Sequence, residues 1–231
     1  ILEARCLAPE KQIILAAYLT PLKGAQGDDV PLAEAATRLA SAAIWASGGF
    51  HLLMGERDGA LCDPYYPLYA SLRPEFADIM RSLYDFVVRY ENTLSDPRLV
   101  TTPADEVPQR IQIQGRSVSA TGEAGTVWAI LRQMPQFLTV SLINLSTAPD
   151  ASWNAPKPVA ETLHALPIEL RVSEEIIGVY MASPEHDEGR PCSLAYRLVQ
   201  RDGATWLQTT LPALEYWSML TIKTTGTTDP A

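Results

Sequence analysis

The sequence predicts an α/β first half followed by an all-β second half. Three observations carry that expectation. Between Pro31 and Leu94 apolar residues recur at helical spacing. Near-continuous apolar runs flank the first of these helices, the pattern of parallel strands buried on both faces. After Pro108 the period becomes alternating, with turn residues between short segments.

Taken in order, Ile1 to Pro9 closes a helix. Lys11 to Leu19, KQIILAAYL, is apolar and partly β-branched and stops at Thr20-Pro21, which predicts a buried strand. After a loop from Lys23 to Val30, Pro31 suits a first helical turn, where its missing N–H has no partner to lose. Leu32, Ala35, Ala36, Leu39, Ala40 and Ala43 continue that helix, which should end before Gly48-Gly49. The stretch Ser41 to Glu56, SAAIWASGGFHLLMGE, must hand the helix over to a strand, near Ile44 to Ala46 or Phe50 to Leu53. Strand, helix and strand make a βαβ unit with parallel strands. Glu56 to Leu72 reads as a loop dense in Pro, Asp and Tyr. Pro74 then opens the clearest helix, with Phe76, Ile79, Met80, Leu83, Val87, Tyr90 and Leu94 on one face and Asp96-Pro97 as its stop.

The composition then shifts to Thr, Pro and acid. This places a linker at 99–108, between an α/β part at 1–98 and a β part at 109–231. Strands are expected at Arg110 to Gln114, Val127 to Gln133, Phe137 to Leu145, Ile168 to Val172, Ile176 to Met181, Leu194 to Gln200, Trp206 to Thr210 and Trp217 to Lys223. Gly125, Pro149, Pro167, Pro184 and Asp202-Gly203 separate them as turns. Short strands with no helix between them predict an antiparallel sandwich.

Composition excludes several classes. The net charge is −9, from 18 Lys+Arg against 27 Asp+Glu, and no basic cluster is interleaved with aromatics, so nucleic acid is not the expected partner. No apolar run reaches the roughly 18 uninterrupted residues of a membrane span. No signal peptide is visible, but the chain opens on Ile1 and enters at once into the end of a helix, so it is expected to be a fragment. Cys6, Cys62 and Cys192 are far apart and in no CxxC arrangement, and His164 and His186 have no ligand spacing; neither a disulfide framework nor a metal or cofactor site is expected.

A parallel βαβα half followed by a sandwich is the layout of a (β/α)8 barrel with an accessory domain. In a barrel the site lies at the C-terminal strand ends, which directs attention to Tyr18 and to the residues around Gly48, Gly49 and His51. The next loop adds Glu56, Arg57, Asp58, Asp63, Tyr65 and Tyr66: flat faces for sugar rings, with carboxylates and a guanidinium for hydroxyls. Each has a plainer reading. His51 amid apolar residues is commonly a satisfied core histidine, Tyr65-Tyr66 between prolines packing, and Glu56 and Asp58 solvated turn carboxylates. Trp45 reads as core, and Trp153 and Asn154 as surface-loop packing that could touch a ligand. No GxSxG, HExxH or phosphate-cradling loop is present. A retaining glycosidase needs two carboxyl groups about 5 Å apart, and no pair in this sequence is an evident choice.

The runs AAIWASGGFHLLMGE, DPYYP and MRSLYDFVVRYENTL resemble the end of the catalytic barrel of glycoside hydrolase family 66, the dextranases and cycloisomaltooligosaccharide glucanotransferases. QIILAAYLTP resembles the family's seventh barrel strand, and TVSLINL with LPALEYWSML its C-terminal sandwich. The sequence departs from the family pattern at Leu53, where the family carries an acidic residue.

The resemblance implies the last two βα units of a (β/α)8 barrel followed by an antiparallel Greek-key β-sandwich. It implies a secreted or extracellular parent that acts on α-1,6-glucan with retention, through an Asp nucleophile and a Glu acid/base expected upstream of Ile1. No catalytic residue is then expected in this chain, which alone should be inactive. Tyr18, Gly48, Gly49, His51, Glu56, Tyr65 and Tyr66 are expected as one substrate-binding wall. The missing part of the barrel or a homodimer is expected to cover the first strand's edge. The alternatives are a non-catalytic carbohydrate-binding or structural module and a degenerate, inactive homologue.

Overall fold

A helix rich in alanine can lie close to whatever it packs against, and the first part of the chain is built around one. The computed structural model describes residues 1–64 and 69–225. The chain divides into two units: Ile1–Pro97 with Thr147–Ala160, and Arg98–Ser146 with the chain from Glu161 onward. Its described residues are mostly β, with fifteen strands against five α-helices.

In the first unit α1 (Leu2–Leu7) leads to β1 (Ile14–Leu15), a 3-10 turn (Thr20–Leu22) and α2 (Asp29–Ala46). Ala33, Ala35, Ala36, Ala40, Ala42 and Ala46 of α2 are all buried. β2 (Phe50–His51) pairs parallel with β1, Ile14 opposite Phe50 and Leu15 opposite His51, which is the expected βαβ unit. The handover falls at Phe50; the alternative at Ile44 to Ala46 is helix. Gly48, at φ 81°, closes α2 in the left-handed region. Its N–H donates to the Trp45 carbonyl at 2.8 Å, and that of Gly49 to the Ile44 carbonyl at 3.0 Å.

β1 does not meet the expectation of a buried strand: Ile14 is 67% and Leu15 36% exposed. Among the described residues only β2 pairs with it, so one edge and much of its apolar surface stay in water. The region read as a loop after Glu56 contains a hairpin, β3 (Gly59–Leu61) against β4 (Tyr69–Ser71). Three-residue strands are too short for a period to show. α3 (Pro74–Arg89) and α4 (Glu91–Leu94) replace one predicted helix, broken at Tyr90 where φ is −108° and ψ 19°.

Three polar groups fasten this unit. Glu34 of α2, 8% exposed, accepts two hydrogen bonds from Arg73, at 2.5 and 2.6 Å, at the start of α3. Arg5, 5% exposed, donates to the carbonyls of Gly48 at 3.2 Å, Ser95 at 3.1 Å and Asp96 at 2.8 Å. A cation there meets the carbonyl ends of α2 and α4 together. Burial lowers its pKa, and Asp96 partly opposes that.

His51 is the third. Its Nε2 lies 3.0 Å from the Ala17 carbonyl and its Nδ1 3.0 Å from the Ser41 hydroxyl. A carbonyl only accepts, so Nε2–H donates to it and the Ser41 hydroxyl donates to the bare Nδ1. One neutral ring thus joins α2 to the chain just past β1. Trp45 meets it edge-on at 6.2 Å and Tyr84 at 4.9 Å in the same manner. The Tyr84 hydroxyl donates to the His51 carbonyl at 2.9 Å, adding α3 to the assembly.

The second unit begins with β5 (Val100–Thr101), α5 (Val107–Arg110), β6 (Ile111–Ile113), β7 (Val118–Ser119), β8 (Val127–Met134) and β9 (Phe137–Asn144). After the detour come β10 (Leu163–Val172), β11 (Ile176–Ala182), β12 (Cys192–Ser193), β13 (Tyr196–Arg201), β14 (Ala204–Leu214) and β15 (Trp217–Thr224). One sheet has the order β13-β14-β10-β6 and the other β12-β11-β15-β9-β8-β5; all pairings along both are antiparallel, and β7 adds in parallel to β8. Alternate residues of both sheets, among them Ile113, Ile168, Leu207, Leu131, Val140 and Leu220, form one buried cluster. This is consistent with the expected sandwich.

Every strand anticipated from alternation is present. β10 starts earlier than expected because Pro167, read as a turn residue, lies inside it opposite Thr210, just past the end of the β6 ladder. The stretch 99–108, read as a linker, holds β5, paired with β8 at Arg132 and Gln133, and the start of α5. Asn144, 1% exposed, is the polar knot of this unit. Its amide donates to the carbonyls of Glu161 at 2.9 Å and Glu215 at 2.8 Å, and its carbonyl oxygen accepts from the Ser146 N–H at 3.1 Å and hydroxyl at 2.6 Å.

Two outcomes are expected. Asn144→Ala leaves two part-buried carbonyls and a turn without their partner, and should cost about 1–2 kcal/mol in chemical denaturation. Burial lowers the pKa of His51 from 6.5. The unfolded chain therefore binds that proton more readily, and its share of stability is complete above about pH 6.5 and lost as pH falls below it. Melting temperatures recorded from pH 7 to pH 5 should fall less steeply in His51→Gln than in wild type.

Candidate functional site

The two ends of the β1–β2 pair are chemically different. At the N-terminal end sit Gly48 and Gly49, both buried. The Gly48 carbonyl accepts from Arg5, and a Cβ on Gly49 would lie 2.8 Å from the Ile1 side chain and 3.3 Å from the Ile44 carbonyl. The glycine pair serves the helix-to-strand turn, where protein already fills the space against its backbone. His51 is at the other end, but it is 3% exposed and both ring nitrogens are engaged within the protein. Its geometry is that of a tie between elements, the plainer of the two sequence readings.

The C-terminal end opens onto two loops. Tyr18, half-buried, follows β1, and its carbonyl accepts from the Thr20 N–H at 3.2 Å. Glu56 is exposed in the turn beyond β2, where Arg57 and Asp58 both adopt left-handed backbone, at φ 51° and 58°, before the β3–β4 hairpin. Tyr65 and Tyr66 lie outside the described residues. The two loops are joined by an ion pair: Lys23 Nζ lies 2.5 Å from Asp63 Oδ2, whose side chain is 11% exposed. That pair raises the Lys23 pKa through its hydrogen bond. Burial and the adjacent Asp63 push the Cys62 thiol up, which keeps it protonated and a poor nucleophile.

The detour Thr147–Ala160 completes this end. The Asn154 side chain makes a two-point contact with Thr20: its Oδ1 accepts the Thr20 N–H at 2.9 Å and its Nδ2 donates to the Thr20 hydroxyl at 3.0 Å. Lys157, 5% exposed, donates its backbone N–H to the Leu32 carbonyl at 3.1 Å and pairs through Nζ with Asp150 at 2.8 Å. Asp150 also accepts the Ser152 N–H at 2.8 Å, and its hydrogen bond from Lys157 holds it below the usual carboxylate range. Trp153 stands between these anchors at 56% exposure. An indole left in water on a loop braced at both sides is available to stack on a flat apolar face.

Sequence reading classed Trp153 and Asn154 as surface packing. The Asp150-Ala-Ser152 turn signal beside a tryptophan hinted at an ordered loop, but its destination beside Thr20 had no local signature. Among the described residues no three His, Cys, Asp or Glu side chains gather as a metal site. Asp63 is engaged by Lys23, and Glu56 is exposed. This end presents the exposed indole of Trp153 and the half-buried Tyr18 beside the exposed Glu56, Arg57 and Asp58, while Asn154 and Thr20 are bonded to each other.

The chain is similar to proteins of known activity. A cycloisomaltooligosaccharide glucanotransferase of Niallia circulans is 35% identical over 193 residues, covering 82% of this chain and 20% of the relative. A dextranase of Streptococcus salivarius is 26% identical over 226 residues, covering 87% of this chain and 27% of the relative. The crystal structure of a Paenibacillus cycloisomaltooligosaccharide glucanotransferase complexed with cycloisomaltoheptaose superposes with a TM-score of 0.76 at 34% identity, over 81% of this chain and 27% of that one. The chain thus spans between a fifth and about a quarter of the curated relatives it matches. Residues 1–221 match the description of glycosyl hydrolase family 66, and the chain belongs to that family.

Proposed function

We propose that this chain supplies the last two βα units of a (β/α)8 barrel and a Greek-key sandwich to an enzyme acting on α-1,6-glucan. Its catalytic Asp and Glu belong to strands preceding Ile1. The observation that carries the reading is the end of the β1–α2–β2 unit: parallel strands whose C-terminal side is a braced, polar loop cluster with an exposed indole. In a parallel α/β array that is the end where substrates bind.

On this reading Tyr18 and Glu56 line one wall of the glucan cleft, Tyr65 and Tyr66 belong to it as the sequence reading has them, and Trp153 is added as the stacking face. Gly48, Gly49 and His51 position that wall from behind. His51 does so by fixing the residue just past β1, and the glycines by setting where β2 begins. The exposed edge of β1 receives the preceding strand of the barrel.

Two experiments test the proposal. The purified 231-residue chain, incubated with dextran, is expected to release no reducing sugar; release would place the bond-breaking carboxylates within this chain and overturn the assignment upstream. In titration calorimetry with isomaltohexaose, Trp153→Ala should weaken the interaction about tenfold, the ~1.4 kcal/mol of one stacked ring, and Trp153→Phe should retain most of it. Equal affinity in wild type and Trp153→Ala would remove Trp153 from the wall.

A further inference from the structure

The solvent side of the sheet β13-β14-β10-β6 carries a groove of about 530 Å³. We propose that this groove is a second carbohydrate-binding surface, which takes a stretch of neutral α-glucan across β10, β14 and β13. It shares with the reading above only the class of ligand.

The groove is built by register. Gln112, Glu169, Gln208 and Arg197 stand opposite one another on four successive strands, while their neighbours Ile113, Ile168 and Leu207 turn into the core. The outer faces of antiparallel sheets are usually polar, so polarity alone marks nothing. Here the polar groups are ordered by one another. Arg197 Nε donates to Gln208 Oε1 at 2.5 Å, Gln208 Nε2 donates to one Glu169 oxygen, and Arg201 Nη1 donates to the other at 2.8 Å. A row of planar guanidinium, amide and carboxylate groups is held ready, with little side-chain entropy left to lose on binding.

An aromatic lies in the next row. Trp206 is in register with Arg171 and Val199, on the outer side of the sheet, yet it is only 8% exposed. The guanidinium of Arg201 covers it, 4.2 Å from the ring centroid. The groove crosses strands about 4.8 Å apart; Trp206 lies one row beyond its lining, and within the lining the Arg197 guanidinium, the Glu169 carboxylate and the Gln208 amide form its polar centre.

The charge pattern favours a neutral ligand. Glu169 is matched by Arg201, Arg197 is turned onto an uncharged amide, and the chain's net charge of −9 repels a polyanion at long range. Gln114 and Thr210 add uncharged hydrogen-bonding groups to the lining.

The test uses the whole 231-residue chain and calorimetric titration with isomaltohexaose, with dextran sulfate as the anionic control. Two variants address the groove: Arg197→Ala with Gln208→Ala, which removes the row's centre, and Thr210→Arg, which leaves the row and fills the space. Each is expected to weaken isomaltohexaose binding about tenfold while the melting curve stays that of wild type. Full affinity in both variants overturns the proposal. So does absence of binding in wild type, and so does binding of dextran sulfate alone that added salt erases. Trp153→Ala in the same titration reads the cleft wall independently, so either proposal can fail while the other stands.

Discussion

The imidazole of His51 is the constraint on which the first unit depends. A parallel pair of strands must be joined by a crossover, and here the pair makes a ladder of only two residues on each side. Such a ladder sets direction but holds little. His51 adds a buried fastening in each direction, to Ser41 on the crossover helix and to Ala17 at the exit of β1. Because the Ala17 carbonyl takes the Nε2 proton, the neutral ring is fixed in one tautomer, and the tie is geometric as well as energetic. Everything beyond the strand ends, including Tyr18 and the turn at Thr20, inherits its place from that ring.

The same unit shows how a polar framework can leave a surface free for recognition. Arg5 and Glu34 spend their charges on buried carbonyls and on Arg73, far from any ligand role. Lys23 and Asp63 neutralise each other where the two loops meet. What remains toward solvent is tyrosine, threonine, asparagine and tryptophan beside the exposed Glu56, Arg57 and Asp58 of the turn beyond β2.

Much of the second unit was legible in the sequence, because one-sided burial writes itself as alternation: β8, β9, β11 and β15 fall within one residue of their expected limits. The exceptions follow from lengths and special residues. β7 and β12 have two residues each and leave no period, and Pro167 announces a turn that the pairing overrides. At the candidate site the sequence offered residue types, and the partners that several of them meet lie far along the chain. The left-handed glycine was visible, but its carbonyl's partner, Arg5, is 43 residues away. His51 looked like a ligand group because the carbonyl that occupies it carries no side-chain signature. Trp153 was read as surface-loop packing that could touch a ligand, and the partner of its neighbour Asn154 is Thr20, 134 positions from Asn154.

The detour of Thr147–Ala160 into the first unit has a consequence for how such a chain can be divided. The backbone passes from one unit to the other after Pro97, after Ser146 and after Ala160, so no single cut yields two whole pieces. A nick near residue 98 strands Trp153 and Asn154 on the fragment that lacks Thr20. By the same logic, recombination that exchanges the β half between related proteins also exchanges a loop of the α/β half. Only an exchange that takes both halves together keeps Asn154 with the Thr20 it is bonded to.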